Sequence, residues 1–330
     1  MSVTLVTVTD DEADIRLDRW LRRHVPALTQ GVIQRWCRTG QVRVDGAKAG
    51  ADARLNPGQV VRVPPPPDTT ETEAAPPPVD PALTREILAL VVYQDAQLIV
   101  LNKPQGLPTQ GGPGIRKHVD NMLDGLREPG GPKPRLVHRL DRETSGVLVV
   151  ARTPGVAARL AAAFRSRAVE KTYWAVVVGR PVPVEGRIEA NLIRVDGFKG
   201  ERAAVAGPYD TTDVVASITD FRTLDHAARK LAWMELKPLT GRTHQLRVHM
   251  ASIGAPILGD RPYGVEKEGR NSALIDGLGD TLHLHARRIA FPHPAGGTLA
   301  VEAPLPLHMV ETFRTLGFEA PPVGRVERRK

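Results

Sequence analysis

Eight prolines fall between Pro64 and Pro81, and no other feature constrains the architecture of this chain so strongly. Proline locks φ and removes a backbone donor, so a segment this rich in it cannot join a sheet interior or a long helix. Thr and Glu fill the gaps and leave almost nothing to bury, which makes an extended, semi-rigid spacer. The chain is thereby divided into a unit of residues 1–63, a linker over 64–84, a larger unit over 85–320 and a basic tail over 321–330. At 330 residues and 41% hydrophobic content, there is ample material for packed cores. No internal repeat occurs at solenoid spacing.

Charge is divided as unevenly as proline. Lys and Arg number 45 against 37 Asp and Glu, a net charge of +8 that favours a polyanionic partner. Between Ile15 and Arg62 stand ten basic residues against three acids, whereas Pro64 to Asp80 holds no Lys or Arg and four acids. In the first unit Leu17, Trp20, Leu21 and Val25 recur at helical spacing. Val32, Ile33 and Trp36 do the same in a second helix, with Thr29 as its N-cap and an end near Gly40. Gln41–Val44 alternates as a strand, Asp45-Gly46 makes a turn, and Val60–Val63 closes the unit. Arg35, Arg38 and Arg43 fall along one edge, where they can neutralise backbone phosphates. Without such a ligand they would be a solvated basic face.

The larger unit reads as α+β. Strands are expected over Ile87–Tyr93, Leu98–Leu101, Val147–Val150, Thr172–Val178, Asp213–Leu224 and Lys230–Leu236. Helices are expected over Val119–Leu126 and Val156–Phe164. Without a repeated βαβ spacing, these strands make a mixed, mostly antiparallel sheet rather than a doubly wound nucleotide fold.

Three segments of that unit carry chemistry-bearing residues. His138-Arg139-Leu140-Asp141-Arg142-Glu143-Thr144-Ser145-Gly146 places a carboxylate between two arginines on a turn beside a strand. Glu170-Lys171-Thr172-Tyr173-Trp174 opens a strand with a charged pair and a tyrosine. Leu236 to His249 contains Gly241-Arg242-Thr243-His244-Gln245-Leu246-Arg247, a turn feeding a helix. Other readings fail. Gly111-Gly112-Pro113-Gly114 lacks the GK[ST] of a phosphate loop. His244 and His249 are five apart and do not share a helix face as paired metal ligands do, and His283 and His285 lack acidic or cysteine partners. Ser145 sits in no nucleophile elbow, and nothing in the sequence supplies it a base.

In this order and spacing, with Leu101-Asn102-Lys103-Pro104, Gly259–Gly264 and His283–Ala286, the segments resemble the RluA/RluC/RluD-type RNA pseudouridine synthases over about residues 87–308. RETSGVLVV and the run Arg38–Val44 look closest to the RluC-like branch. RLDRWL…IQRWCRTGQVRVDG, over about residues 15–63, resembles an S4 RNA-binding domain. The resemblance implies an enzyme that isomerises uridine to pseudouridine, in 23S ribosomal RNA by preference. No redox or group transfer is involved, so it implies no cofactor and no metal. The target nucleotide must be flipped out of its stack. By the same resemblance Asp141 is the catalytic carboxylate and Arg242 the cation that keeps it ionised. Tyr173 stacks on the base, Arg139 occupies the space the flipped nucleotide leaves, and Leu246 touches the RNA. His138 receives no proton-transfer role.

Alternatives are a transfer-RNA pseudouridine synthase and a non-catalytic S4-type RNA-binding protein; intact Asp141, Tyr173 and Arg242 argue against the latter. Cys37 is the sole cysteine, so an intrachain disulfide is excluded. The N-terminus turns acidic too early for a signal peptide, and no apolar run approaches a membrane span. A cytoplasmic monomer is expected, with a disordered basic tail at Arg325–Lys330 adding sequence-independent RNA affinity.

Overall fold

The computed structural model describes residues 3–25, 28, 30–65, 80–112, 114–197, 200–228, 230–264, 266–267, 270–324 and 326–329. It divides into two compact units, Met1–Pro78 and Val79–Lys330. Thr29 and most of the proline run lie outside the described residues.

The first unit contains β1 (Thr4–Thr7), α1 (Leu17–His24), α2 (Gln30–Thr39), β2 (Arg43–Val44), β3 (Ala47–Lys48) and β4 (Val60–Val63). Its sheet has the order β1-β4-β2-β3. Asp45 and Gly46 both take positive φ, +49° and +77°, as the two-residue turn between β2 and β3 requires. Leu17, Trp20, Leu21, Ile33 and Trp36 pack with Val42, Val61 and Val63 into one core, so the helical periodicity marks the buried faces. Val25 and Val32 sit at its edge. Glu12 is buried beneath α1, accepting from Trp20 Nε1 at 2.8 Å and lying 2.7 Å from His24 Nε2. Burial alone would raise its pKa; these bonds and the Thr9 amide outweigh it and draw the carboxyl down to about 2.

The second unit begins with α3 (Pro81–Ala89). Asp80 caps it, its Oδ1 accepting from Ala82 N at 2.8 Å, and Pro81 occupies the first turn, where a missing N–H costs nothing. The strand expected over Ile87–Tyr93 is therefore helix up to Ala89, with Ile87 buried in the core. The strand itself, β5 (Val91–Gln94), is followed by β6 (Leu98–Lys103), α4 (Val119–Met122) with a 3-10 turn over Leu123–Leu126, β7 (Arg135–Leu136), β8 (Ser145–Ala151), α5 (Pro154–Arg165) and β9 (Glu170–Val178). Next come β10 (Glu185–Gly197), β11 (Gly200–Val205), β12 (Val215–Ala227), β13 (Leu231–Pro238), α6 (Gln245–Ser252), β14 (Glu266–Lys267) and β15 (Arg270–Asn271). The chain ends with β16 (Leu284–Pro292), β17 (Thr298–Glu302), α7 (Leu307–Leu316) and β18 (Glu327–Arg329).

The main sheet runs β11-β10-β12-β13-β9-β16-β8-β6-β5. It is antiparallel except where β16 meets β8. This is the mixed sheet the sequence implies. β8 is buried along its whole length, as its unbroken Val-Leu-Val-Val run demands of a central strand. The segment read as a disordered tail instead adds β18 to the edge of β17, pairing Arg329 with Thr298 and Arg328 with Leu299.

Candidate active site

Strand order brings the three marked segments together. β8 starts at Ser145, directly after the His138–Thr144 turn, and its first two residues pair in parallel with His285 and Ala286 of β16. Ala286 lies opposite Tyr173 of β9, and Tyr173 opposite Leu236 near the end of β13. β13 then hands the chain to the turn before α6. The parallel step at β16 is what sets the start of β8 beside the start of β9. Gly146 makes this contact possible: its φ is +112°, and a Cβ there would collide with the backbone of Ala286.

These segments enclose a cavity of about 640 Å3, lined among others by Arg139, Asp141, Tyr173, Arg242, Leu246 and Arg247. The volume lies in the range of small-molecule sites. Asp141 is about a quarter exposed, 24%, toward this space. Its turn is pinned from behind. Thr109 Oγ1 donates to Leu140 O at 2.6 Å, and Gly106 N donates to Arg142 O at 2.9 Å. The fully buried Lys103 spends its ammonium on Pro104 O, Leu107 O and Arg142 O, at 2.9, 2.8 and 3.1 Å. Burial brings Lys103 down to about 8, against the pull of Glu143 and Asp141. Three carbonyl acceptors for three N–H donors leave nothing over for substrate. Lys103 is a fastener under the carboxylate.

Tyr173 is half-buried, and among the described residues its hydroxyl makes no hydrogen bond. Burial, helped by the charge of Asp141, pushes the phenol above its ordinary pKa and keeps it protonated. His138 stacks on Phe164 with centroids 4.7 Å apart, and its Nε2 accepts from Val149 N at 2.9 Å. Burial holds that imidazole down to about 3, so it stays neutral. Leu246 is buried in the wall, whereas Arg139 is exposed at the rim.

The arginines differ from the sequence reading. Arg242 is exposed, with Nε donating to Ala216 O at 3.3 Å, and among the described residues it forms no ion pair with Asp141. The cause is local. The Gln245 side chain is drawn inward, donating to Ile218 O at 2.9 Å and accepting from Arg242 N at 3.1 Å. That turn directs the Arg242 side chain over β12 and starts α6 only at Gln245. The buried arginine of the segment is Arg247, half a turn into the helix, which the sequence reading missed. It binds Asp260 through Nε at 2.8 Å and Nη2 at 2.6 Å, with Cζ 4.8 Å above the Tyr263 ring. Burial disfavours its charge, but the Asp260 bonds and the fields of Asp260 and Asp141 hold its pKa above the ordinary value.

His244 stands between them in the left-handed region, φ +53°, with Nε2 3.9 Å from Asp141 Oδ2. Ala203 N donates to Tyr263 Oη at 3.1 Å, and that hydroxyl lies 2.8 Å from His244 Nδ1. Burial, with the charge of Arg247, keeps the imidazole neutral against the opposing pull of Asp141.

Of the histidines rejected as metal ligands, His283 and His285 are core residues: His283 lies 2.8 Å from Thr312 Oγ1, and His285 Nδ1 lies 2.9 Å from Ser145 Oγ. Ser145 does have a histidine beside it, contrary to the sequence reading. Both are buried in the sheet and neither lines the cavity, so no substrate can reach the pair.

The profile of the RNA pseudouridylate synthase family matches residues 97–252, and that of the S4 domain residues 15–61. The chain belongs to the RNA pseudouridylate synthase family and is an isomerase that converts uridine to pseudouridine in RNA. Among named relatives, ribosomal large subunit pseudouridine synthase C of Vibrio cholerae is 35% identical over 94% of this chain and 96% of its own length. The protein of the same name from Rickettsia bellii is 35% identical over 92% and 98%. RNA pseudouridine synthase 4, mitochondrial, of Arabidopsis thaliana is 32% identical over 90% and 78%. Among solved structures, human RNA pseudouridylate synthase domain containing 4 superposes with a TM-score of 0.61 at 28% identity, covering 73% of this chain and 97% of that one.

Proposed function

We propose that this enzyme acts on uridines of large-subunit ribosomal RNA in the cytoplasm, with Asp141 as its catalytic carboxylate. The gathering of Asp141, Tyr173 and Arg247 around one cavity supports this, together with two relatives named for that RNA. The isomerisation breaks the bond from N1 to C1′, turns the freed uracil, and joins C5 to C1′. C5 loses a proton and N1 gains one, so the reaction balances without a co-reactant. Asp141 in its ionised form attacks the nucleoside or takes that proton. Arg247, in place of Arg242, supplies the positive field beneath it. Tyr173 lies against the uracil face, and its protonated hydroxyl is available at the ring.

Leu246 closes the wall against the base. Arg139, at the rim, fills the duplex where the uridine has left it. Arg242 meets RNA at the mouth. Arg35, Arg38 and Arg43, all exposed in the S4 unit, contact backbone phosphates. No helix among the described residues is long and apolar enough to cross a membrane. Mapping pseudouridine in ribosomal RNA from cells lacking the gene tests the assignment: one or more large-subunit positions should revert to uridine. Loss confined to transfer RNA would move the substrate to that class.

A further inference from the structure

Beside the main cavity lies a second, of about 380 Å3, and the turn Gly241–Thr243 lines both. The second is walled by three arginines, Arg194 of β10, Arg202 of β11 and Arg242 of the shared turn, against one acid, Asp213. Its other side is apolar, with Leu192 buried behind it and Val215 at the edge. Arg202 also reaches Pro262 O at 3.5 Å, on the loop that carries Asp260 and Tyr263. Positive charge around a partly apolar hollow suits an anion that also has a flat, apolar part. A nucleotide answers that description: guanidinium groups hold its phosphate, and its base lies on an arginine plane or against aliphatic carbon.

We propose that this cleft is a subsite for the RNA nucleotide adjoining the flipped uridine. The inference rests on the reading of the main cavity as the uridine site. A strand whose uridine enters the first cavity continues past its mouth, and Arg242 stands on the shared wall. Seating the neighbour separates the target from the stack and fixes its register. The cleft would thus read the nucleotide beside the target, while the main cavity reads uracil.

The test pairs Arg194→Gln/Arg202→Gln with RNA oligonucleotides containing the target uridine. Each neighbouring nucleotide is replaced in turn by an abasic residue joined through a neutral methylphosphonate. Arg194 is exposed and Arg202 half-buried, and unchanged thermal melting verifies the fold. Affinity comes from fluorescence anisotropy and turnover from pseudouridine formation within the RNA. On unmodified RNA the double variant should bind about ten-fold more weakly, with the slope of log K against log salt reduced by about 0.7 for the one single-strand phosphate the cleft holds. On RNA altered at the seated neighbour, wild type and variant should bind alike. A variant that loses the same factor on every RNA, or loses nothing, overturns the subsite. Binding decides this even if wild type forms no pseudouridine, an outcome that would instead sink the reading of the main cavity.

Discussion

Arg247→Gln and Arg242→Gln separate two arginines five residues apart, of which the sequence reading gave a role only to Arg242. The Arg247 and Asp260 side chains are 7% and 0% exposed and share two hydrogen bonds. Removing one member of such a pair leaves an uncompensated buried charge, at a cost of about 3–5 kcal/mol. For a unit of this size that lowers the melting temperature by about 6–20 °C. Arg242 is exposed and offers one bond to Ala216 O, so its loss should change stability by less than about 0.5 kcal/mol. Stability must be separated from chemistry, and Arg247→Gln/Asp260→Asn does so by leaving a neutral, hydrogen-bonded amide pair. The double variant should melt closer to wild type than Arg247→Gln does. It should nevertheless remain at least about 100-fold slow in single-turnover pseudouridine formation, because the field beside Asp141 has gone. Arg242→Gln should weaken RNA binding and keep most of the single-turnover rate at saturating RNA. Equal losses of that rate in Arg242→Gln and Arg247→Gln, or a double variant restored in rate along with stability, would refute the assignment.

Asp141→Asn keeps the shape of the turn and removes its charge; pseudouridine formation should vanish while RNA affinity, by filter binding, stays within a few-fold. Gly146→Ala should destabilise the larger unit by about 3 kcal/mol or more, read as a melting shift, since neither φ +112° nor the Ala286 backbone accommodates a Cβ. Glu12 should make the S4 unit acid-sensitive: its folded pKa, about 2, lies below the ordinary 4.5. Its stabilisation is therefore complete above 4.5 and lost as pH falls toward 2, and Glu12→Gln should flatten the acid limb of an unfolding curve followed by Trp20 fluorescence. Replacing Arg35, Arg38 and Arg43 together by Gln should reduce the salt slope of RNA binding by about 2 to 3 units if each meets one phosphate.

What the sequence displayed and what it hid follow a physical line. Apolar periodicity reports burial, so the S4 helices and β8 could be read directly, and the motif residues Asp141 and Tyr173 fell where the sheet brings them together. Elements whose stability comes from neighbours were less visible. β10 and β11 are rich in charge because one runs through and one ends an exposed part of the sheet, and neither was anticipated. α3 was obscured because its cap, Asp80-Pro81, looked like the end of the proline run. The tail was read from its charge, although Arg328 and Arg329 need only backbone to pair with β17.

The choice between Arg242 and Arg247 depends on where α6 begins, a point decided by the bonds of Gln245 to Ile218 and Arg242, residues that pattern alone does not connect. The same holds under the carboxylate. Lys103 lies 38 positions before Asp141, and only the pairing of β6 with β8 brings its ammonium beneath Arg142 O. The chemistry of this site is therefore written in short motifs, but its alignment comes from long-range sheet register. Substitutions in buried strands far from Asp141 should consequently alter catalysis as readily as they alter stability, because Lys103, Thr109 and Gly106 hold the turn that carries the carboxylate from outside it.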